Sequence, residues 1–296
     1  MKILVPVDIS HQHDDLVDHL DWLLNLKDNE FELLFVKEVL PSYERLVDSM
    51  ADFPDDWENQ IESKAREVLN KLSSKFEEKG AQSVVEVATG PTSSVINNIA
   101  DAHNIDLTVV SPGKGAHIRR FLLGSTSSQV VKHSAKPVLV LRDKEGQSKL
   151  EHIVVAVDGS EDSKYALDYV CKLFHPADRD IKITLINVVS VAQALVMVSP
   201  APFIAQLETN LTLAAGVIVS EAKNQLLHAG VKNVETEVKV GDAANELIDF
   251  ADENSVQLIV SGRKGHSGVK HIVMGSVAER LSAHSQCSNL VVNRPE

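Results

Sequence analysis

The sequence predicts two tandem α/β domains, each an open parallel sheet with helices on both faces. Short aliphatic runs alternate with longer stretches of helical spacing, the order that gives parallel strands joined by right-handed crossovers. Aromatic residues make up 4% of a chain that is 44% hydrophobic, so its cores are aliphatic, as suits strands covered on both sides. The same succession of segments then restarts half-way along the 296 residues, a length that accommodates two ordinary domains.

The first strand is residues 2–8, a nearly continuous apolar run closing on Asp8. Leu16, Val17, Leu20, Leu23 and Leu24 then recur at helical spacing within 14–26. Residues 31–39 form a second strand, followed by an irregular acidic stretch with Pro41, Asp52, Pro54, Asp55 and Asp56. Ile61, Ala65, Val68, Leu69, Leu72 and Phe76 place a long helix over 57–79, with Gly80 as its stop. Residues 84–88 are a strand, 93–103 a helix and 107–110 a strand. After a loop over 111–123, residues 125–134 are helical and 137–141 close the half with a fifth strand.

The pattern then repeats. His152 to Asp158 restates the opening strand and its terminal aspartate, placing Asp8 against Asp158 at an offset of about 150. Gly90 falls on Gly241, Gly124 and Ser125 on Gly275 and Ser276, and the run at Val138 on that at Asn289, one residue further out. Duplication followed by a small insertion leaves such a drift. The predicted boundaries are therefore 1–142 for the first domain, a polar linker over 143–150, and 151–296 for the second.

Composition narrows the function. With 29 basic against 42 acidic residues the net charge is −13, which repels nucleic acid and anionic membrane over most of the surface. Cys171 and Cys287, the only cysteines, form neither a CxxC site nor a disulfide framework, and a cytoplasmic location is expected. The first residues lack the regions of a signal peptide. No apolar run reaches membrane-spanning length, because the longest, 191–204, is interrupted at Ser199-Pro200-Ala201-Pro202. That run is expected to be a variable connecting loop, either a lid over a ligand, an inter-subunit contact, or local packing.

The chemistry is concentrated in residues 257–278. An apolar run ends at Ser261, passes through Gly262, Gly265 and Gly268, and resumes at Gly275-Ser276 before a helical segment. A strand, a glycine loop and a helix start are what a phosphate site requires, because glycines admit close backbone approach and the first helical N–H groups lack internal partners. Glycine-rich turns also merely reverse chains.

The spacing Gly262-x2-Gly265-x9-Gly275-Ser276, preceded by a strand ending in Val157-Asp158-Gly159-Ser160, resembles the ATP-binding signature of the universal stress protein family. Both halves are similar to its domain, across nearly the whole chain. The resemblance implies a Rossmann-like fold of the adenine nucleotide alpha hydrolase type, with strand order 3-2-1-4-5 and a nucleotide where that order reverses. It places adenine-side contacts on Ala156, Val157, Asp158 and Val188, and ribose and phosphate contacts on Gly262, Arg263, Gly265, Gly275, Ser276 and Val277. It implies ATP, with Mg²⁺, as the cofactor. It also implies that the last strands pair as a pseudodimer within the chain, with a further homodimer compatible.

The chemistry of these residues agrees. Asp158 accepts hydrogen bonds, Gly275 and Ser276 offer N–H groups and a hydroxyl at a helix start, and Arg263 and Lys264 add positive charge. The first half has Ser111 and Lys114 where the second has glycines, and Pro112 in place of Arg263. Gly124, Ser125 and Thr126 persist, and Arg119 and Arg120 could supply charge. The first copy reads as a degenerate site kept for architecture.

His11, His13, Asp14 and Asp15 could hold a transition metal, but a solvated helix start explains them more simply, and no metal site is assigned. The chain has no Walker motif and no kinase set, and His266 reads as a solvated loop residue. The expected function is a nonenzymatic, ATP-binding stress-response regulator or sensor. A slow ATP hydrolase and an ATP-independent scaffold or small-molecule carrier stand as alternatives.

Overall fold

The computed structural model describes residues 1–10, 15–38, 56–111, 123–142, 148–265 and 274–295. They form two compact units, one built from 1–110 and 125–136, the other from 111–124 and 137–296.

In the first unit, strands β1 (Lys2–Pro6), β2 (Glu30–Lys37), β3 (Gln82–Thr89) and β4 (Leu107–Val110) lie parallel in the order β3-β2-β1-β4. Helices α1 (Leu16–Leu24), α2 (Trp57–Glu78), α3 (Thr92–Ala102) and α4 (Ser125–His133) connect and flank them. The expected first helix is shorter than its apolar spacing suggested. Asn25 turns left-handed at φ 56° and a 3₁₀ turn over Leu26–Asp28 follows. Asn tolerates this conformation through local hydrogen bonding of its side chain.

The second unit carries β6 (His152–Ala156), α5 (Glu161–Phe174), β7 (Lys182–Val189), α6 (Gln193–Val198) and α7 (Ala201–His228). They are followed by β8 (Val234–Val240), α8 (Ala243–Glu253), β9 (Leu258–Gly262), α9 (Ser276–His284) and β10 (Ser288–Val292). Its parallel order, β8-β7-β6-β9-β10, is the predicted 3-2-1-4-5. β5 (Val138–Val140) then adds antiparallel to β10, with Leu139 opposite Leu290. This joins the two last strands as expected, and it assigns residues 137–142 by contact to the second unit. Arg142 follows β5. It is 5% exposed, and its Nη2 donates to the carbonyl oxygens of Ser282 (2.8 Å) and Ala283 (3.3 Å), favourable positions for a cation in the last turn of α9.

The segment 191–204 differs from the sequence reading. It is not a loop: α6 is a helix of 6 residues, and α7 begins at Ala201 and runs for 28 residues. Both prolines fall at the start of α7, Pro200 at its N-cap and Pro202 in its first turn, where the missing N–H has no intrahelical partner. The prolines begin a helix, and the apolar run continues through them. By length and composition α7 could cross a membrane, with a mean hydropathy of 1.3 over its most apolar window. Ala215, Val219, Ala222 and Leu226 face inward where α7 packs on β7 and β8. Met197, Val198, Phe203, Leu213 and Val217 are exposed.

His152 opens β6 in a buried polar niche. Its Nδ1–H faces the Asn254 carbonyl at 3.3 Å, and Nε2 accepts from Thr184 Oγ1 at 2.9 Å. Burial pushes its pKa below 6.5, outweighing the Asn254 carbonyl, which favours the protonated form. The native state therefore binds this proton less tightly than the unfolded chain. The stability from the neutral ring is present above about pH 6.5 and is lost as pH falls through the lowered folded value. Thermal midpoints measured against pH should fall on acidification, and fall less in His152→Gln.

Candidate functional site

From the carboxyl ends of the adjacent parallel strands β6 and β9 the chain departs in opposite directions, toward β7 on one side and toward β10 on the other. The crevice at such a reversal is where open α/β sheets bind ligands. A cavity of about 220 Å³ opens there. Ala156, Val157, Asp158, Val188, Gly262, Arg263, Gly265, Gly275, Ser276 and Val277 all line it, so the ten residues expected from the sequence are brought together in one site.

The local geometry follows from the turn after β6. Asp158 Oδ1 accepts from the Ser160 amide at 3.0 Å and from Ser160 Oγ at 2.6 Å. Ser160 Oγ in turn accepts from the Ser163 amide at 3.2 Å, capping α5. Gly159 takes φ 84°, a left-handed conformation that a side chain would oppose. The first copy has the same turn: Ser10 donates from its amide (2.9 Å) and its hydroxyl (2.7 Å) to Asp8 Oδ1.

The glycines of the loop serve close approach. A Cβ at Gly262 would lie 2.9 Å from the Asp162 carbonyl carbon, one at Gly265 would lie 2.5 Å from Asp158 Oδ2, and one at Gly275 would lie 3.1 Å from the Arg263 oxygen. The loop uses several of its own amides. Arg263 N donates to the Val292 carbonyl (2.9 Å), Lys264 N to Asp162 Oδ2 (3.1 Å), and Gly275 N to the Arg263 carbonyl (2.9 Å). This corrects the assignment of the Gly275 amide as a phosphate donor, because that amide closes the loop. The amides that remain available for an anion are those of the first turn of α9, from Ser276 onward, on a helix whose N-terminus no described side chain caps.

Charge and polarity are graded across the cavity. Lys264 is exposed and Arg263 is half-buried; burial pushes the Arg263 guanidinium below its ordinary value, and nearby Asp162 opposes that shift. The inner wall is apolar and small-residued, with Ala156, Ile186, Ala243, Leu247 and Ala278. Leu247 and Ile186 belong to a core cluster with Val154, Phe250, Ile259 and Leu281, so the wall is rigid.

Several lining residues lay outside the sequence reading. Asn187 is 7% exposed, and its Nδ2 donates to the Val157 carbonyl at 2.6 Å, which holds the end of β6. Ser163, Ser261, Ala243, Leu247 and Asp162 also build or brace the site. Asn187 and Ser261 interrupt otherwise apolar buried runs, a signal visible in the sequence. No described residue of 191–204 lines the cavity, so of the alternatives for that segment the lid finds no support there. His11, His13, Asp14, Arg119, Arg120, His266 and the 143–147 part of the linker lie outside the described residues.

A separate polar cluster lies in the first unit. Glu32, Glu86 and His103 bring ligand atoms within 4.8 Å of one another, a spacing a metal ion could use. Lys2 Nζ (3.0 Å) and His103 Nδ1 (2.7 Å) already meet both oxygens of Glu32. Burial raises the Glu32 pKa, but hydrogen bonds with Lys2, His103 and Glu86 more than offset it and hold the carboxyl below its usual value.

Comparison with known proteins agrees with the repeat. A model of the Universal stress protein family matches residues 1–142 and again 149–293. The chain belongs to the universal stress protein family. Universal stress protein MJ0531 of Methanocaldococcus jannaschii is 31% identical over 159 residues, covering 51% of this chain and 86% of its own length. Universal stress protein YxiE of Bacillus subtilis is 31% identical over 144 residues, covering 47% of this chain and 97% of its own. Each relative thus spans about one of the two universal stress protein repeats. A universal stress protein from Archaeoglobus fulgidus has the same fold across 99% of this chain and 96% of its own, with a TM-score of 0.66 at 20% identity. A universal stress protein solved in complex with cAMP matches 48% of this chain at 26% identity and a TM-score of 0.34.

Proposed function

We propose that this universal stress protein binds an adenine nucleotide, ATP accompanied by Mg²⁺, in its second domain, and that it acts as a nonenzymatic regulator or sensor. The observation that carries this reading is the convergence of all ten signature positions on one cavity at the strand-order reversal. The apolar inner wall suits a purine. The uncapped first turn of α9, with Arg263 and Lys264, suits phosphates. Asp158, fixed by Ser160, presents a carboxylate between the two, as a ribose hydroxyl or an adenine amino group would require. Ligand binding to one conformation then changes its population, which is all that a sensor requires.

The first domain keeps the Asp8–Ser10 turn but has Ser111 where the second has Gly262, so we assign it an architectural role. The chain is assigned to the cytoplasm.

Thermal unfolding with ATP and Mg²⁺ tests the reading. Ligand at a hundredfold over its dissociation constant contributes about 2.7 kcal/mol, which raises the midpoint by about 5–10 °C. Gly275→Val, which drives side-chain atoms toward the Arg263 carbonyl, should abolish that shift. Gly124→Val, where a Cβ meets no described atom within 4 Å, should leave it intact. A shift lost only in Gly124→Val would reverse the assignment of the two domains. Phosphate release from the same samples would show turnover if the protein were a hydrolase.

A further inference from the structure

We propose that the Ser261 hydroxyl is a ligand-binding group that hydrogen-bonds the nucleoside part of the nucleotide; this rests on the nucleotide reading above. Ser261 is 3% exposed, and its Oγ is buried without a hydrogen-bond partner. Among the described residues it is the only such atom lining the cavity.

Its surroundings make the missing partner informative. The register Val155↔Val260 puts Ser261 beside Ala156, and Ala156 pairs with Ile186. Ala243, Leu247 and Ala278 line the cavity with them. A hydroxyl enclosed by such groups finds no hydrogen-bond partner among the described protein atoms, and a buried hydroxyl left unpaired is unfavourable. The phosphate donors are offered by the loop and the first turn of α9, whereas this wall is apolar and suits the heterocycle and sugar. Base nitrogens and ribose oxygens supply the acceptors and donors that a hydroxyl can meet.

The other domain shows that the fold does not need the hydroxyl. The residue before Ser111 there, corresponding to Ser261 before Gly262, is Val110, 4% exposed at the end of β4. The polar side chain thus accompanies the glycine loop and is replaced by an apolar one where the glycines are lost.

A binding role and a structural role move two observables in opposite directions. Ser261→Ala removes an unsatisfied buried group, so the ligand-free thermal midpoint should stay level or rise. Titration calorimetry with ATP and, separately, with adenosine should show both affinities weakened by the same factor, about three- to tenfold. Unchanged affinities would overturn the proposal. So would a loss confined to ATP, which would place the contact on phosphate, or a lowered ligand-free midpoint, which would make the hydroxyl structural. If the unmodified protein binds neither ATP nor adenosine, the nucleotide reading fails and the Ser261 assignment falls with it. If it binds them and Ser261→Ala binds equally well, only the Ser261 assignment fails.

Discussion

Gly262→Ala is expected to abolish the ATP-dependent rise in thermal midpoint and to lower the ligand-free midpoint. The new Cβ would lie 2.9 Å from both the carbonyl carbon and the Cβ of Asp162 and 3.1 Å from its oxygen, in the first turn of α5. On the other side Gly262 is laddered to Val292, and the Arg263 amide is bonded to the Val292 carbonyl. Neither the strand nor the helix backbone yields as a flexible side chain would. Relief requires α5 and β9 to separate, which pulls the Lys264 amide from Asp162 and disturbs the Arg263 carbonyl that holds Gly275. Overpacking of this kind costs about 1–3 kcal/mol. The loss of the loop conformation should then remove the proposed nucleotide site altogether. Retention of the full ATP shift in Gly262→Ala would show that the close approach is not what shapes the site.

Leu281→Ala should be the more damaging change to stability, at about 2–5 kcal/mol. Leu281 is fully buried, on the inward face of α9, in a cluster with Val154, Ile186, Leu247 and Ile259. Truncation leaves a void between rigid strands and two helices, with only partial collapse available to fill it. Leu281 also seats the helix whose first turn faces the cavity, so its loss should weaken nucleotide binding as well. Urea unfolding of the second unit, read alongside the ATP shift, checks both effects. A destabilisation below about 1 kcal/mol would mean that the cluster repacks freely.

The strand–helix succession was legible because the opening strands are nearly unbroken aliphatic runs, as in Ile153 to Val157, and because the repeat let each copy check the other. The glycine loop was legible from spacing alone. What escaped was set by partners distant in sequence. Asn187 bonds Val157 across 30 residues, and Asp162 meets Lys264 across 102. The role of the Gly275 amide depended on the Arg263 carbonyl, which no spacing rule specifies. The helices of 191–204 are not legible from composition because a proline interrupts a helix only away from its start, and its position relative to that start decides its effect.

The Asp–Ser turn after the opening strand had counted toward the nucleotide signature. Its presence at Asp8 and Ser10 as well as Asp158 and Ser160 gives it a structural duty common to both copies. The residues that separate the copies are Gly262, Ser261 and Asn187 against Ser111, Val110 and Phe35, the last pair matched by the strand registers.

The antiparallel strand beside β10 gives the repeat and the folding unit different limits. The repeat ends at residue 142, yet Val138–Val140 covers β10, whose five residues are all buried. A polypeptide cut at the repeat boundary would keep every residue of the nucleotide signature and still present Ser288–Val292 as a bare, apolar sheet edge, open to pairing with any strand it met. The first copy therefore guards the second against aggregation, a duty that survives the loss of its own glycines.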